Sequence, residues 1–233
     1  MKGRFWLIYL LSALLLTGCA TPYEWTGHIE PEYSKKDPEA KWEWNPNQGQ
    51  WRYLDKERIP PRLLGGTGLY ESRAIAVRLQ ASENINTQQG EPRTLAVKII
   101  QMSDPAELDN YRPSSFRLAD LMAAESNRLS GDFMRETVLI LQPGQTRTLA
   151  LDRVKGASHL AILAGYFRMS DDSSVRVVAI PGVTGRSVPY KNRKRWWWPF
   201  GRQALPPSGE AARLKIWLEL GEERIENLRA RAF

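Results

Sequence analysis

Cys19 is the only cysteine among 233 residues, and it closes the tetrapeptide Leu16-Thr17-Gly18-Cys19. Its thiolate can form a thioether to a lipid, a reaction no other side chain offers. Lys2 and Arg4 precede a mostly apolar stretch from Phe5 to Leu16, and small residues lead into the cysteine. Charged, apolar and cleavable is the order of a secretory signal. A spanning helix needs about 20 apolar residues, and this stretch is shorter; an uncleaved anchor with an incidental thiol is the competing reading. The pattern predicts removal of residues 1–18 as a signal peptide and a mature chain that starts at a diacylated Cys19. Each buried CH₂ is worth about 0.8 kcal/mol, so two or three acyl chains would hold the protein firmly to a bilayer. Ala20, where an Asp would favour inner-membrane retention by the general sorting rule of Gram-negative lipoproteins, predicts the outer membrane. With its one cysteine lipidated, the mature chain has no disulfide, and its body must stand on its own core.

No other residues form a catalytic constellation. His28 and His159 have no His, Cys or carboxylate at metal-ligand spacing. Gly65-Gly66-Thr67-Gly68 precedes the first body strand, where a phosphate-cradling loop would follow one, and reads as a hinge. No Gly-x-Ser-x-Gly or paired catalytic carboxylate is present. An enzyme is therefore not expected, nor a metal or a cofactor beyond the lipid on Cys19. The formal charge of +7 would raise nucleic acid as a partner, but the export signal removes the chain from it. The surplus gathers in Arg193-Lys194-Arg195-Trp196-Trp197-Trp198-Pro199-Phe200-Gly201-Arg202. Indole rings favour the headgroup level and cations meet anionic phosphates there. This segment is a candidate membrane-interface loop; covering an open edge or face of the domain is the alternative.

The elements that must carry these residues are mainly strands. Residues 19–70 read as a lipidated tether, within which Trp42-Glu43-Trp44 and Trp51-Arg52-Tyr53 flank a turn-forming segment as a hairpin would. An isolated hairpin is marginal in water, so it must pack on its own domain, the membrane or a partner. The body spans 71–220 with the basic, Trp-rich insertion at 185–210. Strands are predicted at 74–80 and 94–101, pairing or facing one another, and at 136–142, 146–151, 159–169, 175–180 and 212–220. Pro143-Gly144 predicts a hairpin between the third and fourth. One helix is expected from Phe116 to about Arg128, capped by Ser114 or Ser115. Residues 221–233, with Ile225 and Leu228 spaced by three, read as a short helix or tail. About seven to eight short strands with one helix in a connection make a β-sandwich.

The ordered motifs resemble the TssJ family of type VI secretion outer-membrane lipoproteins. Asn84, Gly90, Pro92 and Leu95 match the family's first connection, with Ile85 and Asn86 in place of its Pro and Asp. Val97-Lys98-Ile99-Ile100-Gln101-Met102 is similar to the next strand, Phe116 and Leu121 to the helix, and Leu129-Ser130-Gly131-Asp132 to the segment after it. Leu141-Gln142-Pro143-Gly144 and the run from Leu160 to Arg168 follow in order. The resemblance covers roughly residues 73–180 and 212–220.

It implies a transthyretin-like sandwich that faces the periplasm and binds the periplasmic C-terminal domain of a TssM-like inner-membrane protein, and through it, indirectly, a TssL-like protein. The implied contact is the loop between the first two strands, here Glu83-Asn84-Ile85-Asn86-Thr87-Gln88-Gln89, whose departures from the family pattern imply a divergent partner. Polar turn residues that merely close a connection are the plain alternative for this loop. For the whole chain the alternative is a pilotin or chaperone lipoprotein for another envelope assembly.

Overall fold

The computed structural model describes residues 40–54, 58–59, 63–65, 70–124, 131–183, 188–189, 210–211 and 213–232. The lipidation motif Leu16 to Cys19 and the basic tryptophan segment Arg193 to Arg202 lie outside them, as do residues 66–68 of the glycine-rich hinge.

Fifteen strands are present among the described residues, in chain order β1 (Trp42–Asn45), β2 (Gln50–Tyr53), β3 (Arg58–Ile59), β4 (Leu63–Gly65), β5 (Glu71–Ala81), β6 (Leu95–Met102), β7 (Phe133–Leu141), β8 (Thr146–Arg153), β9 (His159–Ala164), β10 (Val175–Ala179), β11 (Pro181–Val183), β12 (Val188–Pro189), β13 (Glu210–Ala211), β14 (Leu214–Leu220) and β15 (Ile225–Ala232). Two sheets form the sandwich, one ordered β2-β1-β15-β14-β5-β8 and the other β10-β9-β6-β7. The β14–β5 pair is parallel, and the other pairs of these sheets are antiparallel. The short strands form two small accessory sheets, β13-β11-β4 and β12-β3.

Period-two alternation builds the core. Ile75, Val77 and Leu79 of β5 and Leu214, Ile216 and Leu218 of β14 meet Val97 and Ile99 of β6 and Leu160 and Ile162 of β9 between the sheets. The outer face of the smaller sheet is covered as well: Ile100, Met102 and Leu163 pack under Leu118 and Leu121 of the Ser115–Ala123 helix. Burial on both faces explains why β6 reads as a nearly continuous apolar run. Its polar exceptions are Gln101, 3% exposed, and Lys98, 1% exposed. The Lys98 ammonium donates to the carbonyls of Leu121 at 3.0 Å and Ala124 at 2.6 Å and pairs with Glu136 at 3.0 Å. A buried cation thus finds its partners in the open carbonyls of a helix C-terminus and one carboxylate. The helix opens at Ser114, whose hydroxyl accepts from the Arg117 amide, and is shorter than expected; residues 125–130 lie outside the described set.

The 74–80 and 94–101 strands face one another from opposite sheets, one of the two arrangements their pattern allowed. Three expectations change. Pro143-Gly144 does not close a hairpin, because β7 pairs with β6 and β8 with β5; a tight turn fixes a reversal, while the long-range partner decides whether the joined strands pair. Gly144, at φ +71, is held there by a hydrogen bond from its amide to the Ser82 carbonyl at 2.9 Å. Residues 225–232 are strand and not a helix or tail. A register shift opposite Glu219/Leu220 lets Ile225 and Leu228, three apart, both face inward, which imitates helical spacing. Lastly, the hairpin at 42–53 belongs to the sandwich and not to a tether, since β1 pairs with β15.

That hairpin packs on its own domain. Trp42 and Trp44 are buried in the core, with Tyr53 and Trp51 against them at ring-centroid distances of 4.7 and 5.3 Å. The Trp51 indole N–H donates to the Ala179 carbonyl at 2.9 Å, bridging edge strands β2 and β10. Ala179 pairs with His159 and His159 with Met102, so this closure lies at the end of the smaller sheet where β6 finishes.

Candidate functional site

The other end, where β6 begins, gathers four connections: 82–94 between β5 and β6, 142–145 between β7 and β8, the segment after β9 at 165–168, and the 221–224 turn between β14 and β15. Backbone hydrogen bonds knit them together, from Ser82 to the Leu220 carbonyl, from Ala81 to that of Gln145 and from Gly165 to that of Ala96, each at 2.8–2.9 Å.

The loop Glu83 to Gln89 divides by role. Ile85 is 0% exposed and sits in the core, so it offers nothing to a partner directly. Asn86 holds a left-handed backbone, φ 50, a conformation its short polar side chain tolerates. Its amide donates to the Thr94 carbonyl and its side-chain oxygen accepts from the Phe167 amide, both at 2.9 Å. The Thr87 hydroxyl donates to the Asn84 carbonyl at 2.8 Å, and Gln88 and Glu91 exchange backbone hydrogen bonds. Ile85 and Asn86, the two departures from the family pattern, are therefore the pieces that seat the loop. Glu83, Asn84 and Gln89 are exposed, with Thr87 and Gln88 half-buried. Glu83 lies over the Pro-Gly turn, so close that a Cβ on Gly144 would come within 2.7 Å of its carboxylate.

A cleft of about 360 Å³ opens beside this loop. It is lined by residues 86–90 of the loop, by Tyr166, Phe167 and Arg168 after β9, and by Glu222 and Glu223 of the 221–224 turn. Tyr166 is 3% exposed, its hydroxyl has no hydrogen-bond partner, and burial together with the nearby Glu226 carboxylate raises its pKa. Phe167 is 66% exposed. Such a surface can bind a polar, extended or side-chain ligand. The sequence did not single out Tyr166, Phe167, Arg168, Glu222 or Glu223 as site residues. Gly221-Glu222-Glu223-Arg224 between two apolar runs marks a turn, but its approach to the 83–89 loop depends on strand order.

His159 opens β9 and is half-buried, with Nδ1 2.7 Å from the Ser158 hydroxyl. That hydroxyl donates to the Ser103 carbonyl, so it accepts from the ring and is not activated by it. Burial lowers the His159 pKa, opposed by the Asp104 charge. Among the described residues no group of His, Cys, Asp and Glu could hold a metal ion, and no helix is long and apolar enough to cross a membrane.

A family model described as "Type VI secretion lipoprotein, VasD, EvfM, TssJ, VC_A0113" matches residues 73–195, just over half of the chain. The chain belongs to this TssJ family. Solved structures with similar folds include the type VI secretion lipoprotein TssJ1 from Pseudomonas aeruginosa, at 16% identity and a TM-score of 0.44 over 74% of this chain and 98% of that one. Lip from Serratia marcescens, a membrane-bound component of the type VI secretion system, is 16% identical, with a TM-score of 0.45 over 65% of this chain and 94% of that one. A chain of the structure "T6SS protein TssM C-terminal domain (869-1107) from EAEC" is 16% identical with a TM-score of 0.43, covering 66% of this chain and 95% of that one. No curated protein matches. Membership in the TssJ family rests on the family match, and it makes the chain a type VI secretion lipoprotein with a mainly β sandwich.

Proposed function

We propose that this TssJ-family lipoprotein is a non-catalytic anchor. Its diacylated Cys19 holds it to the periplasmic face of the outer membrane, and the loop end of the sandwich binds the periplasmic domain of a TssM-like inner-membrane protein. The observation that carries this reading is the braced 82–94 loop, whose buried Ile85 and doubly bonded Asn86 hold outward-facing amides beside an open cleft. A loop ordered before binding loses little freedom on docking. The basic tryptophan segment Arg193 to Arg202 would orient the sandwich at the lipid surface, which liposome flotation of the parent and of a Trp196→Ser, Trp197→Ser, Trp198→Ser variant can test.

The anchor reading is tested by pull-down from cell envelopes with the lipidated chain, comparing the parent with Gln88→Ala, Gln89→Ala, Phe167→Ala, and by density separation of the two membranes. Recovery of a TssM-like protein by the parent alone, from the outer-membrane fraction, is the expected result. Recovery of an outer-membrane channel subunit instead, or residence in the inner membrane, would contradict it.

A further inference from the structure

The cleft contains more binding capacity than the fold consumes. Among the described residues, Glu222 and Glu223 are exposed and make no ion pair, and the Tyr166 hydroxyl is buried without a partner. A third carboxylate, Glu226, crowds the same turn: a Cβ on Gly221 would come within 2.2 Å of its Oε1. Phe167 presents an open ring face beside them. Arg168 is the one cation on the rim of the cleft.

We propose that the cleft receives a basic side chain, arginine before lysine, delivered by the protein that docks on the loop end; this rests on reading that end as a docking surface. The guanidinium would lie between the Glu222 and Glu223 carboxylates, where charge-assisted and bidentate hydrogen bonds are strongest. Its flat face would stack on Phe167. Tyr166 also lines the cleft, and a donor that reached its hydroxyl would satisfy a group that is costly to leave unpaired in the free protein. An acidic side chain would meet two exposed carboxylates, with Arg168 the one cation lining the cleft. The Arg176 charge also acts on the Tyr166 hydroxyl, but its guanidinium is taken up by the carbonyls of Asp172, Val175 and Ile225.

The test is a chemical-shift titration of the full chain in detergent with N-acetyl-arginine amide, N-acetyl-citrulline amide and N-acetyl-glutamate amide. Arginine is expected to bind about tenfold more tightly than its neutral isostere, as charge-assisted hydrogen bonds imply, moving the Gln88, Gln89 and Phe167 amide signals. Glu222→Gln with Glu223→Gln should erase that preference. Tyr166→Phe should weaken arginine binding while raising Tm, a pair of opposite effects that a purely structural hydroxyl would not give. Equal binding of citrulline, preference for the glutamate probe, or an arginine preference that survives the double Gln variant would overturn the proposal. Binding of a TssM-like periplasmic domain to the same samples separates the two ideas. A domain that binds a cleft indifferent to arginine sinks the basic-side-chain inference alone, whereas an arginine-selective cleft that no such domain engages sinks the docking reading alone.

Discussion

The two ends of the sandwich spend their residues in opposite ways. At the hairpin end, Trp42, Trp44, Trp51 and Tyr53 turn inward, and an indole N–H joins two edge strands. At the loop end the 82–94 connection is held through the buried Ile85, one hydrogen bond that Asn86 donates and one that it accepts, and backbone bonds to the neighbouring connections, which leaves Gln88, Gln89 and Phe167 around a cleft. An aromatic-rich segment is thus a closure here, and the polar one is the surface with unused capacity. Both ends leave buried polar atoms without a partner, such as the Trp42 indole N–H at the hairpin and the Tyr166 hydroxyl at the loop end, but the loop end also sets exposed carboxylates and side-chain amides around a cleft.

Core truncations should break this comparison most strongly. Trp44→Ala should cost about 3–5 kcal/mol and Ile85→Ala about 2–5 kcal/mol, read from denaturant midpoints. If Ile85→Ala costs as little as a surface change, the loop is not seated through the core. Asn86→Ala comes next, at about 1–3 kcal/mol for two orphaned backbone partners. Asn86→Gly should cost no less in hydrogen bonds while relaxing the left-handed backbone. Equal stability of all three chains would show that Asn86 does not bolt the loop to Phe167.

A smaller effect is pH-dependent. The folded-state pKa of His159 is lowered from 6.5, first by burial, so the unfolded chain takes up this proton at a higher pH than the folded one. Its contribution to stability is complete above the unfolded pKa and is lost as pH falls through the folded value. Tm should therefore decline below about pH 6.5, and His159→Gln should flatten that part of the profile. Glu43 acts in a lower window. Burial raises its pKa, but hydrogen bonds and charges from Arg52 and Arg231 outweigh it and leave the pKa below 4.5. Its stabilisation is present above that value and lost as pH falls through the depressed one. The smallest change in stability belongs to the outward groups: Gln88→Ala, Gln89→Ala and Phe167→Ala should stay within about 0.5 kcal/mol each.

The strands and the family were legible because alternation and turn residues are local signals. Val97 to Met102 and the Pro143-Gly144 turn could be placed from sequence, but which strands pair could not, since that depends on contacts across the chain. The β15 bulge illustrates the limit, because one extra residue changes a period of two into a spacing of three. For the site, the 83–89 loop was visible, but the division between Ile85 as core and Gln88 as surface was not. Glu222 and Phe167 reach the loop only through sheet order, which no short window of sequence contains.

The most direct test of the account is calorimetric binding of a purified TssM-like periplasmic domain to three chains: the parent, the Gln88→Ala, Gln89→Ala, Phe167→Ala variant, and an Arg52→Ala control on the exposed side of the hairpin. The account predicts at least about a tenfold loss of affinity in the loop-end variant, as for an interface anchor, with Tm unchanged and the control indistinguishable from the parent. Loss of binding in the hairpin control with full binding by the loop-end variant would contradict it.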